Sequence, residues 1–156
     1  MADKSFNTDG SLNYPNTSFF PDFKSWVPGF SGNTILVNGK VWPKLTVEPK
    51  TYRFSLLNSC QGRYLNVYFE TSNGTKLDFE IFRRDSDFLK KAVSSQDLLL
   101  INGGRLEVFV DFSNVTGSVF MRNNAPFPYP AGAPPTNFTS QIMRIDIKSK
   151  APRYLQ

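Results

Sequence analysis

The chain has 156 residues, of which 40% are hydrophobic, 15% aromatic and 20% charged, with one cysteine and no histidine. That length suits one domain burying about 70% of its unfolded surface, and the composition excludes disorder and collagen-like repeats. The missing imidazole excludes Ser-His-Asp and Cys-His nucleophile systems and every blue-copper site, and the lone Cys60 excludes an internal disulfide.

The net charge of +5 comes from 18 Lys and Arg against 13 Asp and Glu. The cations are dispersed, adjacent only at Arg83-Arg84 and Lys90-Lys91, so no nucleic-acid partner is expected. The longest apolar run, Leu98 to Ile101, is far below the ~20 residues of a membrane helix, and no membrane span is expected. Met1 to Gly10 is polar and does not read as a signal peptide.

In chain order, residues 1–30 read as an irregular strap. Asp9-Gly10 and Tyr14-Pro15-Asn16 are turn chemistry, and Pro21 and Pro28 interrupt any ladder or helix. Phe19, Phe20, Phe23, Trp26 and Phe30 give this strap rings with which to pin itself across a folded body. From Thr34 the pattern becomes β. Thr34 to Val37 runs into Asn38-Gly39, a strong hairpin signal, and resumes at Lys40-Val41-Trp42. Pro43 and Pro49 bracket Leu45-Thr46-Val47, which is expected at a sheet edge. Tyr52 to Leu56, Tyr64 to Glu70, Leu77 to Phe82, Leu98 to Ile101, Leu106 to Phe112, Val119 to Arg122 and Ile142 to Ile147 complete the runs. A short helical turn is expected within Asp87 to Val93. Alternating β runs about ten residues apart predict an all-β sandwich or Greek-key barrel. Phe54, Leu56, Val108, Val110 and Ile145 are expected to share its core, with Arg53 and Ser55 outside.

Candidate chemical groups are sparse. Asp85-Ser86-Asp87 has too few oxygens for a Ca²⁺ loop and reads as a surface turn. Glu70 and Glu80 have the residue types of a glycosidase pair, yet both sit in β runs where carboxylates usually face solvent. Cys60 reads as a small buried hydrophobe. Trp26, Trp42, Tyr14, Tyr129 and Tyr154 offer a sugar-binding platform if they gather on one face, or core plugs if they do not. Asn16, Asn73, Asn114 and Asn137 head N-x-[ST] acceptors, candidate N-glycosylation sites that suit an extracellular or secretory parent.

Three stretches together resemble the middle domain of three-domain multicopper oxidases: laccases, spore-coat laccases, bilirubin oxidases and plant ferroxidase-like oxidases. They are Gly32 to Pro43 with Leu45 to Pro49 and Tyr52 to Asn58, then Gly104 to Ser113, then Asn123 to Pro130 with Gly132 and Gln141-Ile142-Met143. Arg63-Tyr64-Leu65 and the opening Ser5 to Ser11 match as well. The resemblance departs at Asp85-Ser86-Asp87-Phe88-Leu89, in place of a D-G-G turn, and at Gly103-Gly104-Arg105, where the acidic residue and the Pro are missing.

The resemblance implies a cupredoxin-like Greek-key barrel over residues 31–150, the strap at 1–30 and a tail at 151–156. It implies no copper in this chain, with copper held by flanking cupredoxin domains of the parent oxidase. Met121 and Met143 are then strand residues, not axial ligands. The expected role is to space the copper-bearing domains and to line the substrate cleft with Pro28, Gly29, Phe30, Ser31, Ala125, Pro126 and Phe127. The parent would oxidise phenols, pigments or Fe²⁺ and reduce O₂ to water, while this chain alone is silent. Self-association through Phe19, Phe20, Phe23, Trp26 and Phe127 is a further expectation. The alternative is a free-standing β-sandwich binding module, for example for carbohydrate.

Overall fold

The computed structural model describes residues 1–13 and 27–149. The expectations for Asn16, Phe19, Phe20, Phe23, Trp26, Tyr14, Tyr154 and the 151–156 tail lie outside the described residues.

The described strands are β1 (Ala2–Lys4), β2 (Thr34–Val37), β3 (Lys40–Val41), β4 (Lys44–Val47), β5 (Thr51–Leu57), β6 (Leu65–Thr71), β7 (Phe79–Arg84), β8 (Asp87–Ser95), β9 (Leu98–Leu100), β10 (Arg105–Asp111), β11 (Gly117–Asn123) and β12 (Gln141–Ile147). One helical turn, α1 (Asn137–Ser140), precedes β12. The strands form a four-stranded sheet β5-β10-β7-β8, a five-stranded sheet β4-β12-β11-β6-β9, and a small sheet β1-β2-β3. Only β4 and β12 pair in parallel among the described ladders.

Alternation along each strand sends one set of side chains to a shared core. Val108 and Val110 of β10 face Val67, Phe69, Val119 and Ile145 of the five-stranded sheet, all of them buried. Phe69 bridges the layers, its ring 5.8 Å from Phe54 and 5.6 Å from Phe79. Leu56, Val108, Val110 and Ile145 are buried as expected, and Phe54 is partly buried against the same cluster. Arg53 and Ser55 are exposed. Each large aliphatic side chain so enclosed contributes about 1.5–3 kcal/mol.

Two expectations need correction. Asp87 to Val93 is strand, not a helical turn: β8 pairs antiparallel with β7, and the span Leu89 to Ala92 lies opposite the single residue Phe82. That bulge carries Lys90 and Lys91, whose charges blunt an edge strand and break the alternation a strand reading needs. The opening segment is not wholly irregular either. Ala2–Lys4 pairs antiparallel with Thr34–Leu36, because Asp3 finds buried partners beneath β2. The turn at Asn38-Gly39 is as expected, with both residues at positive φ, 51° and 79°. Leu45 lies on an edge strand, β4, also as expected.

Candidate functional site

Ser31 and Gly32 lead into β2, and Phe127 follows β11 in the proline-rich loop. What joins them is Arg63, in the β5–β6 loop. Its Nε donates to Asp3 Oδ2 at 3.2 Å. Its Nη2 donates to the Gly32 carbonyl at 3.0 Å and to Ser31 Oγ. The guanidinium stands 5.0 Å from the centre of the Phe127 ring, a cation–π distance. Gly32 N–H donates to the same Asp3 oxygen at 2.7 Å. Arg63 and Asp3 are both buried, so their charges persist only because each is paired and hydrogen-bonded. The planar fork of arginine suits this task, reaching three acceptors at once.

Backbone packing closes the same junction. A Cβ on Gly62 would stand 2.6 Å from the Gly29 carbonyl oxygen, so only glycine lets the Arg63 loop lie against Gly29 and Phe30. A Cβ on Gly132 would stand 2.1 Å from the Phe127 carbonyl carbon, and Phe127 and Ala133 exchange backbone bonds of 2.8 and 3.0 Å. Of the expected rim residues, Pro28 and Gly29 are exposed, and Phe30, Ser31, Pro126 and Phe127 are half-buried. Ala125 is only 1% exposed, so its side chain is no rim contact. Its N–H donates to Asn123 Oδ1 at 3.0 Å and anchors the loop.

The Asp3 carboxylate keeps one oxygen, Oδ1, buried without a hydrogen-bond partner. Cys60 lies beside it. Burial, and secondly the Asp3 charge, push the thiol pKa up from 9.0 to about 12. A thiol so held is no nucleophile at neutral pH. The donor set does not fit copper: imidazole is absent, the thiol is buried and protonated, and Met121 and Met143 face each other as ladder partners in β11 and β12. Among the described residues no three His, Cys, Asp or Glu side chains gather as a metal site.

The other candidates separate. Glu70 on β6 pairs with Arg122 at 3.0 Å, and Glu80 lies on β7 in the other sheet, so they form no pair. Asp85 sits in the β7–β8 turn with φ 51°, accepting from Arg105 N–H at 3.1 Å. Among the described candidates, Trp42 stacks on Phe138 at 5.6 Å and Tyr129 on Tyr64 at 5.4 Å. Asn73 and Asn114 lie exposed in turns; Asn137 is exposed too but starts α1, and the Thr139 of its N-x-[ST] site is buried in a capping box with Thr136. No described helix is long and apolar enough to cross a membrane. Sequence reading missed the Asp3–Arg63 pair, because its members are 60 residues apart and neither carries a local signature.

No family model matches the sequence. The chain is 40% identical over 153 residues to multicopper oxidase LPR2 of Arabidopsis thaliana, covering 97% of this chain and 26% of that protein. It is 36% identical over 130 residues to a laccase of Bacillus subtilis (strain 168), covering 80% of this chain and 25% of that protein. Its fold matches that of the McoA multicopper oxidase 2F4 variant of Aquifex aeolicus with a TM-score of 0.74 at 25% identity, covering 94% of this chain and 30% of the other. The chain thus spans about a quarter of the length of the curated relatives it matches. It belongs to the multicopper oxidases, as one all-β, cupredoxin-like domain.

Proposed function

We propose that this domain is the middle one of a three-domain multicopper oxidase, spacing two copper-bearing cupredoxin domains and walling part of the substrate cleft. The Arg63 junction carries the reading. It brings Pro28 to Ser31 and Pro126-Phe127 to one place, although about a hundred residues separate them in sequence. In this reading the flanking domains hold copper, which supplies one-electron oxidation of a phenol, a pigment or Fe²⁺ and reduction of O₂. This chain's residues bind no copper. They present a rim of proline, phenylalanine and serine, held rigid by a buried ion pair, against which a flat organic substrate packs. Among the described residues, Asn73 and Asn114 are exposed glycan acceptors in turns if the parent is secreted.

The test is kinetic. In the oxidase that carries this domain, Phe127→Ala should raise KM for a phenolic substrate several-fold, with kcat and copper content unchanged. Unchanged KM at full copper content would remove the domain from the cleft. The isolated chain, loaded with Cu²⁺ and desalted, should retain no stoichiometric copper and show no intense visible band. The alternative reading, a binding module, gains no specific support from the described rings Trp42 and Tyr129, each of which stacks on a neighbour within the chain.

A further inference from the structure

The outer face of the four-stranded sheet carries rings where a solvent-facing sheet is ordinarily polar. In the ladder of β7 with β10, Ile81 pairs with Val108 and Arg83 with Glu107, so Phe82 is an extra residue and β7 bulges there. The bulge turns Phe82 and Arg83, neighbours in sequence, to the same face. Phe82 stacks on Phe109 of β10 at 4.3 Å, with 17° between the ring planes, and on Phe88 of β8 at 6.3 Å and 25°. Three near-parallel rings thus run across three strands, yet Phe88 is 72% exposed and Phe109 37%.

Beside the rings lies a hollow of about 250 Å³, lined by Ser55, Leu57, Arg83, Asp85, Arg105 and Glu107. Arg83 belongs to both, since its guanidinium also stands 5.3 Å from the centre of the Phe88 ring. The two carboxylates of the hollow are already engaged. Glu107 accepts from Arg83 Nη1 at 3.0 Å and lies 3.8 Å from Arg53, and Asp85 accepts from Arg105 N–H at 3.1 Å. The two guanidinium groups keep donors to spare. Arg83 Nε is buried without an acceptor, and among the described residues the Arg105 guanidinium reaches only the Gly103 carbonyl, at 3.4 Å.

We propose that this face binds a small, flat aromatic carboxylate, whose ring packs against Phe88 and Phe109 while its carboxylate enters the hollow between Arg83 and Arg105. Aromatic rings add readily to an offset stack, and the planar guanidinium fork matches a carboxylate. The hollow is smaller than the ~300–1,000 Å³ of sites that enclose a whole ligand, so it takes the head group and leaves the ring on the stack. A neutral ring would leave the guanidinium donors unanswered, and an aliphatic acid would leave the phenylalanines in water. The site binds and does no chemistry. It rests neither on copper in flanking domains nor on this domain's lining the substrate cleft.

Titration of the isotope-labelled 156-residue chain with 2-naphthoate, followed by amide NMR shifts, tests it. Saturable shifts should centre on Phe82, Arg83, Phe88 and Phe109, with a Kd of about 1 mM, the order set by about a dozen ligand atoms at an open site. Phe88→Ser, at an exposed position, should weaken binding about five-fold. Arg105→Gln should weaken 2-naphthoate about three-fold and leave the weaker binding of 2-naphthol as it is. Cyclohexanecarboxylate should bind less tightly than 2-naphthoate. Equal affinity for those two acids would overturn the proposal, since no ring would then be read. Equal weakening of 2-naphthol in Arg105→Gln would overturn it as well, by removing the carboxylate from the hollow. So would shifts centred on β4 or β12, or a titration that never saturates. No oxidase activity is read, so failure here leaves the cleft assignment standing, and failure of the Phe127 test leaves this one standing.

Discussion

Two regions at the same end of β5 are built in opposite ways. At the junction, Arg63 and Asp3 bury charge, and the hydrogen bonds that hold it are short and directional. A few residues away, in a groove of about 730 Å³ between the end strands β4 and β5, the walls include Leu36, Leu45, Phe54, Met121 and Met143. A buried charge without its partner costs several kcal/mol, so the junction is either complete or disrupted. An apolar groove pays a smaller penalty for standing open, because water can enter it and its side chains can relax. The rigid device therefore holds the rim segments together, and the groove tolerates rearrangement of its walls.

The largest effect should follow breaking the junction. Arg63→Ala leaves the Asp3 carboxylate buried without a cation, and should cost about 3–5 kcal/mol in urea unfolding. Asp3→Ala strands Arg63 in the same way. The double replacement should cost less than the sum of the two, since each single variant already carries an unpaired charge. Additive losses would mean that the two side chains act independently and that the rim segments are joined by backbone packing alone.

A smaller difference should separate the sealed core from the groove wall. Ile145, fully buried between the sheets, should lose about 3–4 kcal/mol on truncation to Ala. Leu56 lines the groove as well as the core, so Leu56→Ala should fall at the lower end of the 2–4 kcal/mol expected, because the enlarged space joins solvent instead of forming a void. Arg53→Ala and Ser55→Ala, both exposed on the outer face of β5, should stay within about 0.5 kcal/mol. Equal losses at Ile145 and Leu56 would show that the groove is closed in solution.

The strands were legible because alternation reports burial on one face, and the hairpin at Asn38-Gly39 because only a few residues adopt positive φ cheaply. β8 was not, since its bulge at Lys90-Lys91 destroys the period that identifies a strand. The brevity of α1 hid it: one turn has no helical period, and its signal is a Thr136–Thr139 capping box. The rim segments came from family resemblance. Arg63, which joins them, was visible only as a residue of a matching tripeptide, because ion pairs across 60 residues leave no mark in local pattern. Ala125 was placed on the rim by the resemblance, and the structure buries it.

A further expected effect is electrostatic and belongs to the junction. Cys60 keeps its proton in the folded chain up to about pH 12, whereas the unfolded thiol ionises from 9.0. Between those values the native state binds more protons than the unfolded one. Stability from this group is therefore complete below pH 9 and is lost as pH rises toward 12, at up to about 1.4 kcal/mol per pH unit. Tyr68, whose pKa is also raised by burial, is ionisable as well, so the wild-type curve alone does not isolate the thiol. Comparison with Cys60→Ala does. Between pH 8 and pH 10 the wild type should lose about 1 kcal/mol more than the variant. Met121 carries no ionisable group, and Met121→Leu should leave the alkaline slope as it is. A wild-type slope identical to that of Cys60→Ala would mean that the thiol is solvated, and that the Asp3 junction opens where the structure shows it sealed.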